Sequence, residues 1–199
     1  MRELFALLFV IALVSFFILY TQFSDTYYYM ASLHLGIFSV AMYFLYDKNW
    51  KTTFKDLGIP GNLKNNLKYT LIGIFGLFVT VFLLNIILYV LGIEDGNKVF
   101  DIVTSLPWYI VIFAIIAAPI TEELFFRALL AGKFGVLISS IVFSVSHAAY
   151  GSIAQLLGAF FMGAVLAVIY KKSKSVVPCM LIHGFFNLIS IIVMMMVAG

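Results

Sequence analysis

Apolar residues fall into seven blocks along the chain: Leu4–Tyr20, Tyr27–Tyr46, Tyr69–Leu91, Trp108–Leu130, Phe134–Tyr150, Ile153–Tyr170 and Val176–Val197. Their lengths, about 17–23 residues, match what a helix rising ~1.5 Å per residue needs to cross about 30 Å of hydrocarbon. Ten-residue stretches of alternating polarity are absent, which argues against a membrane β-barrel. The first block exceeds the apolar core of a signal peptide, and no small-x-small site follows Tyr20, so it reads as a retained span. The longest polar stretch, 47–68, reads as an interfacial segment. No internal repeat, low-complexity tract or soluble domain interrupts the pattern. The expected fold is all-α and polytopic, about seven transmembrane helices in one integral membrane domain over residues 1–199. Residues 1–107 supply N-terminal spans and the interfacial loop; residues 108–197 form a motif-bearing core, with the site among the last four helices.

Composition agrees. The chain is 64% hydrophobic and 11% charged, against roughly 45–50% and about 25% in soluble domains. The net charge of +3 does not point to nucleic acid, because the basic residues occupy loops. Cys179 is the sole cysteine, which excludes an intramolecular disulfide or thiolate cluster and leaves it a small apolar packing residue. Loop charge predicts the orientation. With seven spans and the N-terminus inside, Arg2, Lys48, Lys51, Lys55, Lys64, Lys68, Lys133, Lys171, Lys172 and Lys174 lie on the inner side, and Lys98 alone lies outside. The expected placement is a multi-pass cell-membrane protein with a cytoplasmic N-terminus and an outer C-terminus.

Charge inside the fourth block changes the picture further. Glu122, Glu123 and Arg127 stand within six residues of one another in an apolar span, and each charge at mid-bilayer costs at least a few kcal/mol. Glu123 and Arg127 are i and i+4, so they face each other with the acid on the favoured N-terminal side. Glu122 points about 100° away and lacks a partner on its own helix. Phe143 and His147 on the fifth block, and His183 and Asn187 on the seventh, repeat the i, i+4 spacing. At ~1.5 Å per residue, Glu122 lies about 16 Å, and His147 about 21 Å, from the inner Lys133. Each polar group alone is explicable as a helix-bridging hydrogen bond. Glu122, His147, His183 and Asn187 at similar depth on three helices suggest proton relay, metal binding or hydrolysis. A His-Glu-x-x-His zinc helix and a Gly-x-Ser-x-Gly elbow are absent. Ser144 and Ser146 are poorly placed to use His147 as a base.

These three spacings resemble the motifs of the CPBP family (CAAX proteases and bacteriocin-processing enzymes, or ABI family), which includes the type II CAAX prenyl endopeptidases. The resemblance covers about residues 115–190. It departs in having Ala128 after Arg127 and a short link between the first two motifs. The resemblance implies a glutamate-dependent intramembrane endopeptidase acting on a membrane-associated peptide or prenylated protein. Glu122 and His147 would activate water, His183 and Asn187 would hold the oxyanion, and Glu123, Arg127 and Phe143 would support them. No cofactor is favoured; a zinc variant would use Glu122, His147 and His183 as ligands with water fourth.

Other residues read as scaffold: Pro119 as a kink, Pro178 as a first-turn proline, His34 as a structural histidine, and Ala159, Gly163 and Ala167 as a packing stripe. Gln155 lies within reach of the site, and Phe126, Phe160 and Phe161 are candidates to line a lipid-like groove. Two rival readings stand: a non-catalytic scaffold or bacteriocin-immunity protein of the same family, and a proton-coupled transporter. The lack of an internal repeat counts against the transporter.

Overall fold

In the computed structural model, residues 2, 4–5, 8–9 and 26–199 are described, with backbone alone for 26–31. The first expected span therefore lies mostly outside the described residues. Every described element is helical: α1 (Thr26–Leu45), α2 (Trp50–Asp56), α3 (Leu63–Val90), α4 (Asn97–Thr104), α5 (Trp108–Glu123), a π-helical continuation (Leu124–Ala131), α6 (Gly132–Ser146), a single 3-10 turn (Ala148–Tyr150), α7 (Ile153–Ser173) and α8 (Val177–Ala198). The protein is an all-α, multi-pass membrane protein. By length and hydropathy α3, the continuous stretch 108–150, α7 and α8 are membrane-sized, and Ser32–Leu45 is a shorter apolar helix.

Boundaries shift where local chemistry outweighs hydropathy. The third span begins at Leu63 rather than Tyr69, because the Asn62 side chain accepts the Asn65 N–H and starts the helix inside the polar stretch. Asn49 caps α2 in the same way through Thr52. The fourth and fifth blocks are separated at Gly135, whose φ of 89° lies outside helical space. There the chain reverses, and the Ser139 hydroxyl donates to the Phe126 carbonyl across the hairpin at 2.6 Å. The fifth helix stops at Ser146, not Tyr150. Its last turn closes on itself: the Ser146 hydroxyl and the His147 ring both bond the Phe143 carbonyl.

Small residues govern the packing of the last helices. The stripe Ala159, Gly163, Ala167 is buried, and a Cβ on Gly163 would meet Ser140 Cα at 3.1 Å. Ser144 donates to the Leu156 carbonyl across the same α6–α7 contact. The core gathers Leu77, Phe126, Phe143, Met162, Leu166 and Ile182 from α3, the π segment, α6, α7 and α8. Ala128, the departure from the family pattern, is buried against Ala41, Met42 and Val176.

The two ends of the bundle are built differently. At one end the 57–61 turn docks on the α7–α8 link. Val176 N–H donates to the Leu57 carbonyl, Ser175 to Gly58, and Asn65 to Ser173. Gly58 has φ +68°, and a Cβ there would lie 2.6 Å from the Lys174 carbonyl, so only glycine fits. Arg2 donates to the Tyr46 carbonyl, and Lys133 sits over the Phe44 ring at the same end. At the opposite end the amphipathic α4 buries Val99 and Val103 against Ile191 of α8. There Asp95 caps α7, accepting from Ser152 Oγ, Ile153 N–H and Ala154 N–H.

These hydrogen bonds hold the Asp95 carboxyl below its ordinary 3.8, the Ile153 amide contributing most. A carboxyl depressed in the folded state stabilises above its unfolded value, and the effect is lost as pH falls through the folded value. Asp95→Asn should therefore lower the thermal unfolding midpoint in detergent at pH 7. The gap from wild type should stay constant down to about pH 5 and narrow below pH 4; an unchanged gap at pH 3 would contradict the cap.

Candidate active site

Glu122 and Glu123 occupy the last turn of α5, where the helix passes into its π segment. Such single-turn insertions recur at functional sites and re-aim the side chains around them. Glu123 and Arg127 are both fully buried, with Arg127 Nε 2.9 Å from Glu123 Oε2. The contact is close but not aligned as a hydrogen bond, since neither atom finds a partner by angle. The guanidinium instead lies over the Phe143 ring, 4.2 Å from its centroid, and 5.8 Å from that of Phe126. Two ring faces thus substitute for water around a buried cation.

The other oxygen of Glu123 receives His183, with Nδ1 to Oε1 2.8 Å. A carboxylate already facing Arg127 accepts hydrogen bonds, so His183 donates from Nδ1 and presents its bare Nε2 outward. That nitrogen lies 3.9 Å from Glu122 Oε2. Glu123 therefore holds two elements at once: Arg127 on its own helix and His183 on α8.

Glu122 is placed otherwise. It is 14% exposed, and its Oε2 accepts no hydrogen bond from the described residues. The nearest histidine nitrogens are His34 Nε2 at 3.6 Å and His183 Nε2 at 3.9 Å. Both separations exceed direct hydrogen-bond length. His34 was expected to be structural. It is buried on α1, its Nδ1 2.7 Å from Thr121 Oγ1 and its ring edge-on to Phe113, a helix-bridging contact that also turns its Nε2 towards Glu122. The sequence held one signal for its place at the site: a histidine inside an apolar span.

His147 stands at the C-terminal end of α6. Its ring packs on Phe143, centroids 4.6 Å apart, as the i, i+4 spacing predicts. A carbonyl can only accept, so the 2.8 Å contact with Phe143 O fixes a proton on Nδ1 and leaves Nε2 as a lone pair. Tyr150 stacks parallel on the other side at 6.2 Å, a partner sequence spacing did not reveal. Asn187 differs from expectation. Its Nδ2 donates to the Ala114 carbonyl at 2.9 Å, tying α8 to α5, so an oxyanion role would fall to its second N–H. Gly184 makes the approach feasible. A Cβ there would sit 2.8 Å from the Ile115 carbonyl, which Pro119, lacking an N–H, leaves unpaired within its own helix.

Glu122, His147, His183, Asn187 and His34 all border one cavity of about 390 Å³. Gln155 borders it too, as expected. Phe160 and Phe161 do not; they pack on each other, and Phe126 is in the core. Among the described residues no three His, Cys, Asp or Glu side chains are grouped as metal ligands.

Residues 104–189 match the family profile described as Type II CAAX prenyl endopeptidase Rce1-like. The motif-bearing core is similar to that family over these residues, under half of the chain. The chain is also 30% identical over 111 residues to "Putative membrane peptidase YdiL" of Bacillus subtilis, covering 50% of this chain and 44% of that protein. The chain thus spans less than half the length of that relative. No solved structure matches. The profile covers α5 to α8 and takes in all three motifs of the Rce1-like core, while His34 lies outside it.

The two glutamates of the Rce1-like core should respond oppositely to neutralisation. Glu123→Gln leaves a buried guanidinium without its anion, a loss of about 3–5 kcal/mol. Glu122→Gln removes a partly solvated acid and should leave stability nearly unchanged. Unfolding of both variants in mild detergent tests the division; equal stabilities would contradict it.

Proposed function

We propose that the protein is an intramembrane endopeptidase in which Glu122 is the general base. The observation that carries this reading is the contrast between the paired glutamates: Glu123 is fully buried 2.9 Å from Arg127 and 2.8 Å from His183, whereas Glu122 borders the cavity with its nearest histidine nitrogens at 3.6 and 3.9 Å. A water between Glu122 and His147 would lose its proton to the carboxylate and add to the scissile carbonyl. The bare Nε2 of His147 is suited to take a proton and return it to the leaving amine. The second N–H of Asn187 would donate to the oxyanion, joined by Nε2 of His183 once that nitrogen has taken a proton, with Glu123 as countercharge. Preorganised donors of this kind are worth roughly 3–4 kcal/mol each. His34, anchored on Thr121, would hold the Glu122 carboxylate in line. Water activation is metal-free in this scheme, and the substrate is a membrane-associated peptide.

Purified protein is to be incubated with a panel of prenylated and unprenylated membrane peptides. Glu122→Gln and His147→Ala should each reduce cleavage about 10²–10⁴-fold, the usual contribution of a positioned acid–base group. His34→Phe should reduce kcat more than it alters KM. Cleavage that survives Glu122→Gln would overturn the mechanism, and cleavage abolished by a chelator and restored by zinc would replace its metal-free step.

A further inference from the structure

The cavity leaves the site in one direction. Beyond Glu122 and the histidines its walls are Asn85 and Leu88 near the end of α3, Val99 and Val103 of α4, Ser152 and Gln155 at the start of α7, and Met194 near the end of α8. All of these belong to the α4 end of the bundle. No residue of the 47–68 segment, the Gly135 reversal or the α7–α8 link borders it.

The basic residues crowd the opposite end. Arg2, the lysines of the 47–68 segment, Lys133, Lys171, Lys172 and Lys174 share the end tied together by the Arg2–Tyr46, Lys133–Phe44 and Val176–Leu57 contacts. The α4 end holds Lys98, whose ammonium donates to the Gly151 carbonyl, beside Glu94, Asp95 and Asp101. Loops rich in Lys and Arg stay cytoplasmic. The cavity and the cytoplasmic face are therefore on opposite sides.

We infer that the site is entered from the non-cytoplasmic face, and that its substrate is an apolar peptide segment presented there, not a prenylated tail arriving from the cytoplasm. Chemistry of the wall supports a peptide. It is largely aliphatic, with Met162 and Met194 and with the Gln155 amide facing the cavity, while the Asn85 amide donates to the Val81 carbonyl of its own helix; its volume falls in the usual range for ligand sites. Asn85, Leu88, Val99 and Val103 also lie outside the Rce1-like match, so the likeness that suggests catalysis does not extend to the α3 and α4 side of this wall. The inference takes its chemistry from the proposed endopeptidase reading; its geometry and charge argument do not depend on it.

Single cysteines at Gln155, Leu106 and Lys172, with buried Cys179 retained, are to be treated with a membrane-impermeant maleimide. In right-side-out vesicles Gln155→Cys and Leu106→Cys should label and Lys172→Cys should not; inverted vesicles should reverse the pattern. Labelling of Gln155→Cys only in inverted vesicles, or from neither side, would overturn the inference. Glu122→Gln added to each variant should leave labelling unchanged. An unprenylated apolar peptide from the panel, added outside sealed vesicles, should be cleaved by the right-side-out preparation and spared by the inverted one. Equal cleavage in both would overturn the inference, whereas absence of cleavage in both, with labelling as expected, would count against the endopeptidase reading alone.

Discussion

The site depends on Glu123 having no freedom. Its carboxylate is fully buried between Arg127 and His183, and each contact constrains a different helix. Removing Arg127 leaves an uncompensated charge in a low-dielectric interior, which is far more costly than never having buried the pair, and removing His183 takes away the only hydrogen bond that the described residues give this carboxylate. The arrangement is therefore cooperative: α5 and α8 are held in register by one anion, and the His183 tautomer follows from it. Adjacent Glu122 can then remain loosely held, because the neighbouring residue already carries the structural duty.

Backbone irregularities deliver these side chains. Pro119 leaves the Ile115 carbonyl unpaired within its helix, and Gly184 lets α8 approach that point within van der Waals reach. Asn187 adds a hydrogen bond to Ala114 one residue away. Directly after Glu123 the helix widens into its π turns, so Arg127 turns towards Phe143 of α6 as well as back to Glu123. In a bilayer such departures from regular helix survive only where protein covers the freed backbone groups or a cavity adjoins them. Here both conditions are met, by α8 on one side and the site cavity on the other.

Much of this was legible in the sequence. Spacing at i, i+4 predicted the Glu123–Arg127 and Phe143–His147 pairs, since a helix fixes those neighbours with little help from tertiary structure. Hydropathy predicted the spans but misplaced the starts and stops decided by single side chains, at Asn62, Gly135 and Ser146. What the sequence could not show was the third dimension. His34 is 88 residues from Glu122 in the chain, and nothing local marks its ring as facing that carboxylate. Asn187 was readable as a polar group at the right depth, but not that one of its amide hydrogens is taken by Ala114.

The division between core and wall bears on how far family likeness reaches. The profile match begins at residue 104, and the three motifs all lie within it. Part of the wall that shapes passage to the site, from Asn85 through Val103, lies before it, as does His34, whereas Ser152 and Gln155 lie within it. Catalytic machinery of this kind tolerates little variation, because its donors must meet the reacting atoms to within a fraction of an ångström. A passage has no such requirement; a different helix packed over the same core changes what enters without moving Glu122. In this chain the passage is roofed by an amphipathic α4 whose inner face, Val99 and Val103, docks on Ile191 of α8. The physical link between chemistry and selectivity is thus α8 itself, which carries His183 near one end of the cavity and Met194 near the other, 11 residues or about 16 Å apart.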